Sequence, residues 1–376
     1  MRQGVLVLLA ACGRLGFGPS GDDSASGDGS MNGDGTTANG DGVVATTNAN
    51  YVFLTSARVA PGALGGLAGA DALCMAGAAQ ANIQGTYVAW LSTATINAID
   101  RLGSARGWVR LDGLPFADTK ADIAAGKIYY PASLDSTLAD VIVKVPTGSG
   151  GMGQSLGTAH CGGWTTTAGT TTIGFSRGTS AAFSSQGSQM NCDVASPILC
   201  FGTDQDTAVT SPSTTAGKLI FIHPTWSSGS GVASADTLCT QVANTGGRPG
   251  TFRALLATST MSLTARLGTI AGPIVRSDGV RVAASLADLL ASNLEVAPNL
   301  RLDGTLHTTV NLYAGALTTS GTGGSNCLNW MDTTNTQVAT QGDPRLAMTG
   351  WFGANAFGTM PFTTCNFTQA IYCLQL

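Results

Sequence analysis

Among the residue types able to act as nucleophile, metal ligand or covalent cross-link, cysteine is the one whose spacing repeats along this chain. Cys74, Cys161, Cys192 and Cys200 form one set and Cys239, Cys327, Cys365 and Cys373 another, with successive separations of 87, 31 and 8 and then 88, 38 and 8. The neighbours repeat too: Ala70-Asp71-Ala72-Leu73-Cys74 matches Ala235-Asp236-Thr237-Leu238-Cys239, and Cys161-Gly162-Gly163-Trp164 matches Cys327-Leu328-Asn329-Trp330. A zinc site calls for tighter pairs such as C-x-x-C with histidines close by. The chain has no C-x-x-C and three histidines, His160, His223 and His307. Four cysteines per repeat therefore read as disulfides, with no metal ligands, and disulfides imply an oxidising compartment outside the cytoplasm.

No catalytic set emerges from the remaining residues. His160 precedes Cys161, but its counterpart in the second copy is Asn326, and a bonded cysteine has no thiolate with which to attack. His223 and His307 read as surface or turn residues. Asp71 and Asp236 recur in the first turns of helices, where a carboxylate ordinarily serves as a cap or dipole partner; Asp122 and Asp288 read the same way. There is no Walker motif, no G-x-G-x-x-G set in a strand–helix context and no H-E-x-x-H. The expectation is a protein without an active site or cofactor.

The elements that must position the cysteines can be read from periodicity. Tyr51 to Thr55 is β-branched and aromatic, as strands are. Gly65 to Ala81 reads as a helix with Leu67, Ala70, Cys74 and Gly77 on one face, and Val232, Ala235, Cys239 and Val242 trace that face in the second copy. Strands are expected at Thr86 to Ser92 and Thr251 to Ala257, and short helices ending at Arg101-Leu102-Gly103 and Arg266-Leu267-Gly268. Asp112-Gly113 and Asp278-Gly279 mark tight turns. Long Gly/Ser/Thr-rich loops run from Pro146 to Cys161 and from Ala314 to Cys327. Final strands lie at Pro197 to Phe201 and Ala370 to Leu374.

Composition narrows the partners. Only 11% of the 376 residues are charged and the formal net charge is −4, so neither repeat has the basic excess that nucleic acid binding needs. Met1-Arg2-Gln3-Gly4 and the apolar run to Ala11 read as a signal peptide at 1–11, too short to span a bilayer. Leu9-Ala10-Ala11-Cys12 resembles the lipobox of bacterial lipoproteins, which implies lipidation at Cys12 and membrane contact through that anchor only. Residues 12–49 repeat Asn-Gly-Asp-Gly and hold too few apolar side chains to offset their conformational entropy, so they read as a low-complexity tether. The first domain is then 50–202, a Thr/Ser/Pro linker 203–217, and the second domain 218–376.

The two copies resemble the endostatin domain of basement-membrane collagens and bacterial domains of the same C-type-lectin-like fold. The resemblance rests on Gly69-Ala70-Asp71-x-x-Cys74, on Gly250 to Leu256, on Pro273-Ile274-Val275, and on the repeated C-x-x-W and terminal C-x7-C elements. It implies an α+β fold of two tandem C-type-lectin-like domains, each a mixed, mainly antiparallel sheet with two short helices, long loops and two disulfides. It also implies the pairing Cys74–Cys200, Cys161–Cys192, Cys239–Cys373 and Cys327–Cys365. The calcium-dependent sugar site of true C-type lectins needs E-P-N or Q-P-D and W-N-D triplets, which this chain lacks. Trp164 and Trp330 read first as packing against the loop disulfides, with a role as candidate ligand-loop residues as the alternative. The resulting expectation is a lipid-anchored or secreted protein of the bacterial envelope or surface, using the long loops between second and third cysteines to bind a protein, glycan or matrix ligand. A passive envelope component and an enzyme of the formylglycine-generating type are the alternatives.

Overall fold

The first repeat starts with β1 (Asn50–Leu54), whose five residues are all buried. A computed structural model describes residues 49–353 and 362–376, so the signal peptide, Cys12 and nearly all of the tether lie outside the described residues. After β1 come α1 (Gly66–Gln80), β2 (Tyr87–Ala89), a 3-10 turn at Ile99–Leu102, β3 (Trp108–Arg110), β4 (Pro115–Ala117) and α2 (Lys120–Ala124). The repeat continues through β5 (Lys144–Pro146), the one-turn α3 (Cys161–Trp164), β6 (Thr170–Phe175), β7 (Gln189–Asn191) and β8 (Leu199–Gly202). The second repeat restates this order as β9 (Lys218–Trp226), α4 (Gly231–Thr245), β10 (Phe252–Ala254), α5 (Leu263–Leu267), β11 (Ile274–Val275), β12 (Arg281–Ala283) and α6 (Leu286–Leu290). It ends with β13 (Leu312–Tyr313), α7 (Cys327–Trp330), β14 (Val338–Gly342), β15 (Phe362–Thr364) and β16 (Gln369–Gln375). The chain is thus α+β, and every strand of the first repeat has a counterpart in the second.

In the first repeat β1 is central, parallel to β3 and antiparallel to β8, within a sheet ordered β2-β8-β1-β3-β4. Strands β5, β6 and β7 form a separate sheet. In the second repeat the corresponding strands join one larger sheet, because β13 pairs with β16 through Leu312 and Ala370. Most ladders are antiparallel; β1–β3, β9–β11 and β13–β16 are parallel.

Local chemistry explains the helices. The face of α1 that meets the sheet is built from Ala70, Cys74, Gly77 and Ala78. A Cβ on Gly77 would come within 2.9 Å of the Phe53 ring, so the close approach of helix to strand requires glycine there. Thr119 and Asp122 form a complete capping box at α2, and Ser285 accepts from the Asp288 amide at α6, each cap stabilising its helix by about 1 kcal/mol.

The first-to-fourth disulfides pin these helices to the last strands: Cys74 to Cys200 and Cys239 to Cys373. The second-to-third bonds are Cys161–Cys192 and Cys327–Cys365. This is the pairing that the resemblance implies.

The two repeats share hydrophobic core. One buried cluster joins Tyr130, Ile173 and Phe175 of the first to Leu289, Leu346, Trp351 and Tyr372 of the second. Residues 203–217 contain no helix or strand, yet they are tied to both repeats. The Val209 amide donates to Asp118 at 2.8 Å, and the Thr215 amide donates to the Gly279 carbonyl at 2.8 Å. The segment is a strap laid along the molecule.

Candidate functional site

The C-x-x-W elements fold as single left-handed turns. All four residues of each have positive φ: 51, 60, 72 and 72° for Cys161, Gly162, Gly163 and Trp164, and 52, 51, 60 and 67° for Cys327, Leu328, Asn329 and Trp330. This backbone costs non-glycine residues roughly 1–2 kcal/mol each, so other contacts must hold it. The disulfide anchors one end of each turn. At the other end the indole of Trp164 donates to the Ser92 carbonyl and that of Trp330 to the Ala257 carbonyl, both at 2.9 Å. His160 Nδ1 accepts from the Gly163 amide at 2.8 Å, and Asn326 Oδ1 accepts from the Asn329 amide at 2.9 Å. The exchange of histidine for asparagine between repeats is therefore the exchange of one cap acceptor for another.

This geometry agrees with packing of the two tryptophans against the loop disulfides and corrects the alternative of ligand residues. Both rings are completely buried, and Trp330 packs edge-on against Tyr313 and Trp226, with ring centroids 5.1 and 5.6 Å away. Neither has a face to offer a ligand, because both are needed to support the turn.

The recurring aspartates also have a different task from helix capping. Asp71 accepts from the β2 amide of Ala89 at 2.9 Å and binds both oxygens to Arg101 Nη2. Asp236 repeats the arrangement with Ala254, at 2.8 Å, and Arg266. Each carboxylate locks its helix to a strand and a downstream turn. Asp112 and Asp278 likewise hold the buried Arg110 and Arg276 beside the turns that they mark.

No catalytic set assembles among the described residues. His307 is buried, where a surface or turn residue was expected; burial, aided by Arg301, drives its pKa down to about 4. It meets Thr309 Oγ1 at 2.6 Å. His223 lies on β9 with its pKa lowered by burial. The chain contains two G-x-S-x-G sequences, Gly153-Gln154-Ser155-Leu156-Gly157, a loop whose serine donates to the Thr93 carbonyl, and Gly174-Phe175-Ser176-Arg177-Gly178. A nucleophile elbow exposes its serine between strand and helix, whereas Ser176 is buried and donates to the Val141 carbonyl at 2.6 Å. No group of three or more metal-ligating side chains occurs among the described residues.

The segments between second and third cysteines, expected to carry ligand binding, meet each other. The Thr179 amide donates to the Arg345 carbonyl at 2.7 Å, and the Ala347 amide donates to the Arg177 carbonyl at 2.9 Å. Bridges His160–Thr171 and Asn326–Ala339 set the equivalence of the repeats here. By that register Arg177 corresponds to Arg345 and Thr179 to Ala347, so the contact is reciprocal, as in a two-fold dimer interface. Side chains reinforce both halves: Arg177 Nη1 donates to the Ala347 and Leu294 carbonyls at 3.3 and 3.0 Å. Asp343 receives Arg345 Nε and Nη2 at 2.9 and 2.8 Å and Gln186 Nε2 at 2.7 Å, while Arg345 Nη2 reaches back to Gln186 Oε1 at 3.0 Å.

Beside this cluster lies a crevice of about 620 Å³, lined from both repeats. Gly151, Ser185 and Gln186 contribute from the first repeat; Asn311, Gln341 and Phe362 contribute from the second. The Gln341 side-chain nitrogen is buried and has no hydrogen-bond partner, a condition that costs about 1–3 kcal/mol. Sequence pattern alone does not reveal this site, because its walls come from loops without periodicity. The paired amides of Gln186 and Gln341 in otherwise small-residue stretches were the available signal.

The chain matches no protein-family model and no curated protein.

Proposed function

We propose that this chain is a non-enzymatic binding protein of the cell envelope or surface, built from two C-type-lectin-like repeats and displayed on a lipid anchor at Cys12. The observation that carries this reading is the convergence of the two loop segments, one per repeat, on a single crevice with an unsatisfied polar group. A duplicated module need not use its copies as separate heads; here the copies supply two walls of one site. The four disulfides fit an oxidising location. No helix among the described residues is long and apolar enough to cross a membrane, which suits attachment through lipid. An enzyme of the formylglycine-generating type would require free thiols, and all eight repeat cysteines are bonded.

The test uses the full chain produced under oxidising conditions and titrated against envelope extract and extracellular matrix immobilised on a sensor. Saturable binding, weakened by substitution at the crevice, is the expected result. Absence of saturable binding to either would overturn the reading in favour of a passive coat component.

A further inference from the structure

We infer that the inter-repeat crevice takes a neutral saccharide unit of one or two rings, an assignment that rests on the binding reading above. The first argument comes from comparing the two repeats. Pro146 pairs with Ile173 in the first, and Tyr313 pairs with Gln341 in the second, at matching places in the ladder. Ile173 and Phe175 thus correspond to Gln341 and Asp343. In the first repeat both positions are buried apolar side chains. The second repeat has replaced them with an amide and a carboxylate and left the amide nitrogen without a partner. The fold tolerates an apolar pair there, so it does not require the polar one; an unmet donor beside a cavity is accounted for by a ligand acceptor.

The second argument concerns charge. Among the crevice residues the charged ones are Asp343 and Arg345, and they neutralise each other through two hydrogen bonds, with Gln186 closing the ring. An ionic ligand would find no free countercharge, and entering without one is costly. Uncharged ligands with hydroxyl groups meet no such barrier. Gln341, Asn311 and Ser185 can both donate and accept, as vicinal hydroxyls do.

The third argument is shape. The crevice volume falls in the range of small-ligand sites. Phe362 and Val310, each 39% exposed, supply an apolar wall against which the C–H face of a sugar ring can lie.

The experiment titrates the full chain with glucose, galactose, N-acetylglucosamine and their neutral disaccharides, read by saturation-transfer NMR and calorimetry, beside the corresponding uronic acids and sulfated sugars. At least one neutral saccharide should bind, and the charged forms should bind at least tenfold more weakly. Gln341→Ile, which installs the residue of the sister repeat, should weaken binding about tenfold with no loss of thermal stability. Phe362→Ala tests the apolar wall independently and should weaken binding similarly. The assignment is overturned if no neutral sugar binds, if charged sugars bind as well, or if neither variant weakens binding. Envelope extract run on the same preparation separates the two readings. Saturable binding to extract that no neutral sugar displaces sinks the saccharide assignment and leaves the binding function standing. Silence from both sinks the two together.

Discussion

Thr179 and Arg345 are joined twice: the amide of Thr179 donates to the Arg345 carbonyl at 2.7 Å and its hydroxyl donates to the same oxygen at 3.0 Å. They are separated by 166 positions in sequence and belong to different repeats. Around this contact the repeats share core, strap and crevice, which makes them one mechanical object.

The ion pair beside that contact should therefore govern the stability of the whole chain. Arg345→Ala leaves the Asp343 side chain, 14% exposed, without its countercharge, and should destabilise the protein by about 3–5 kcal/mol. Asp343→Ala/Arg345→Ala together should cost less than the sum of the single changes. Urea unfolding followed by fluorescence measures both, and a single transition is expected for the two repeats.

Removing the disulfides should reveal their different loops. The Cys74–Cys200 bond closes 126 residues and Cys161–Cys192 closes 31. Loop-closure entropy then predicts losses of about 5 and about 3.5 kcal/mol for the paired Cys→Ala variants. Denaturation midpoints under non-reducing conditions decide the order, and a larger loss from the shorter loop would contradict it.

The left-handed turns offer a test of backbone strain. The first repeat has Gly162 where the second has Leu328, at φ of 60 and 51°. Leu328 is exposed, so Leu328→Gly loses little packing and relieves its conformational cost, for a gain of about 0.5–1 kcal/mol. Gly162→Leu should do the reverse. Thermal unfolding of the two variants is the measurement, and opposite signs are the expected outcome.

Acid sensitivity should trace in part to His307. Its pKa is about 4 in the folded protein against 6.5 in the unfolded chain. Above pH 6.5 both states are neutral and the stability is fully present. As pH falls through 6.5 toward 4 the unfolded state binds a proton that the folded state does not, and stability declines by up to ~3 kcal/mol. The matching bridges Leu134–Asp140 and Leu300–Leu306 place Val141 at the equivalent position in the first repeat, so His307→Val should flatten that part of the pH profile. Equal slopes in wild type and variant between pH 4 and 6.5 would refute the account.

Much of the architecture was legible in the chain. The spacing of Cys74, Cys161, Cys192 and Cys200, repeated from Cys239 onward, declared a duplication. The buried face of α1 followed from Ala70, Cys74 and Gly77, because small residues at helical spacing are what a close helix–sheet contact demands. Thr119-x-x-Asp122 and Ser285-x-x-Asp288 marked helix starts. In contrast, Asp71 looked like a helix cap; its real partner, Arg101, is 30 residues away, and such a pairing has no local signature. Trp164 and Trp330 were ambiguous for the same reason, since a C-x-x-W spelling does not say which way a left-handed turn aims its indole. His307, taken for a surface or turn residue, is enclosed by chain that the sequence does not place beside it.

By itself, then, the amino-acid order determined the repeat, its α+β elements and the oxidising setting, because periodicity and cysteine spacing are local properties that survive in one dimension. Only the tertiary structure decided that the two loop segments face each other across Arg177 and Arg345 and share a crevice. Those loops are rich in Gly, Ser and Thr, whose backbone preferences are weak. Their course is set by long-range hydrogen bonds and shared core burial, and these exist only once the chain has closed on itself.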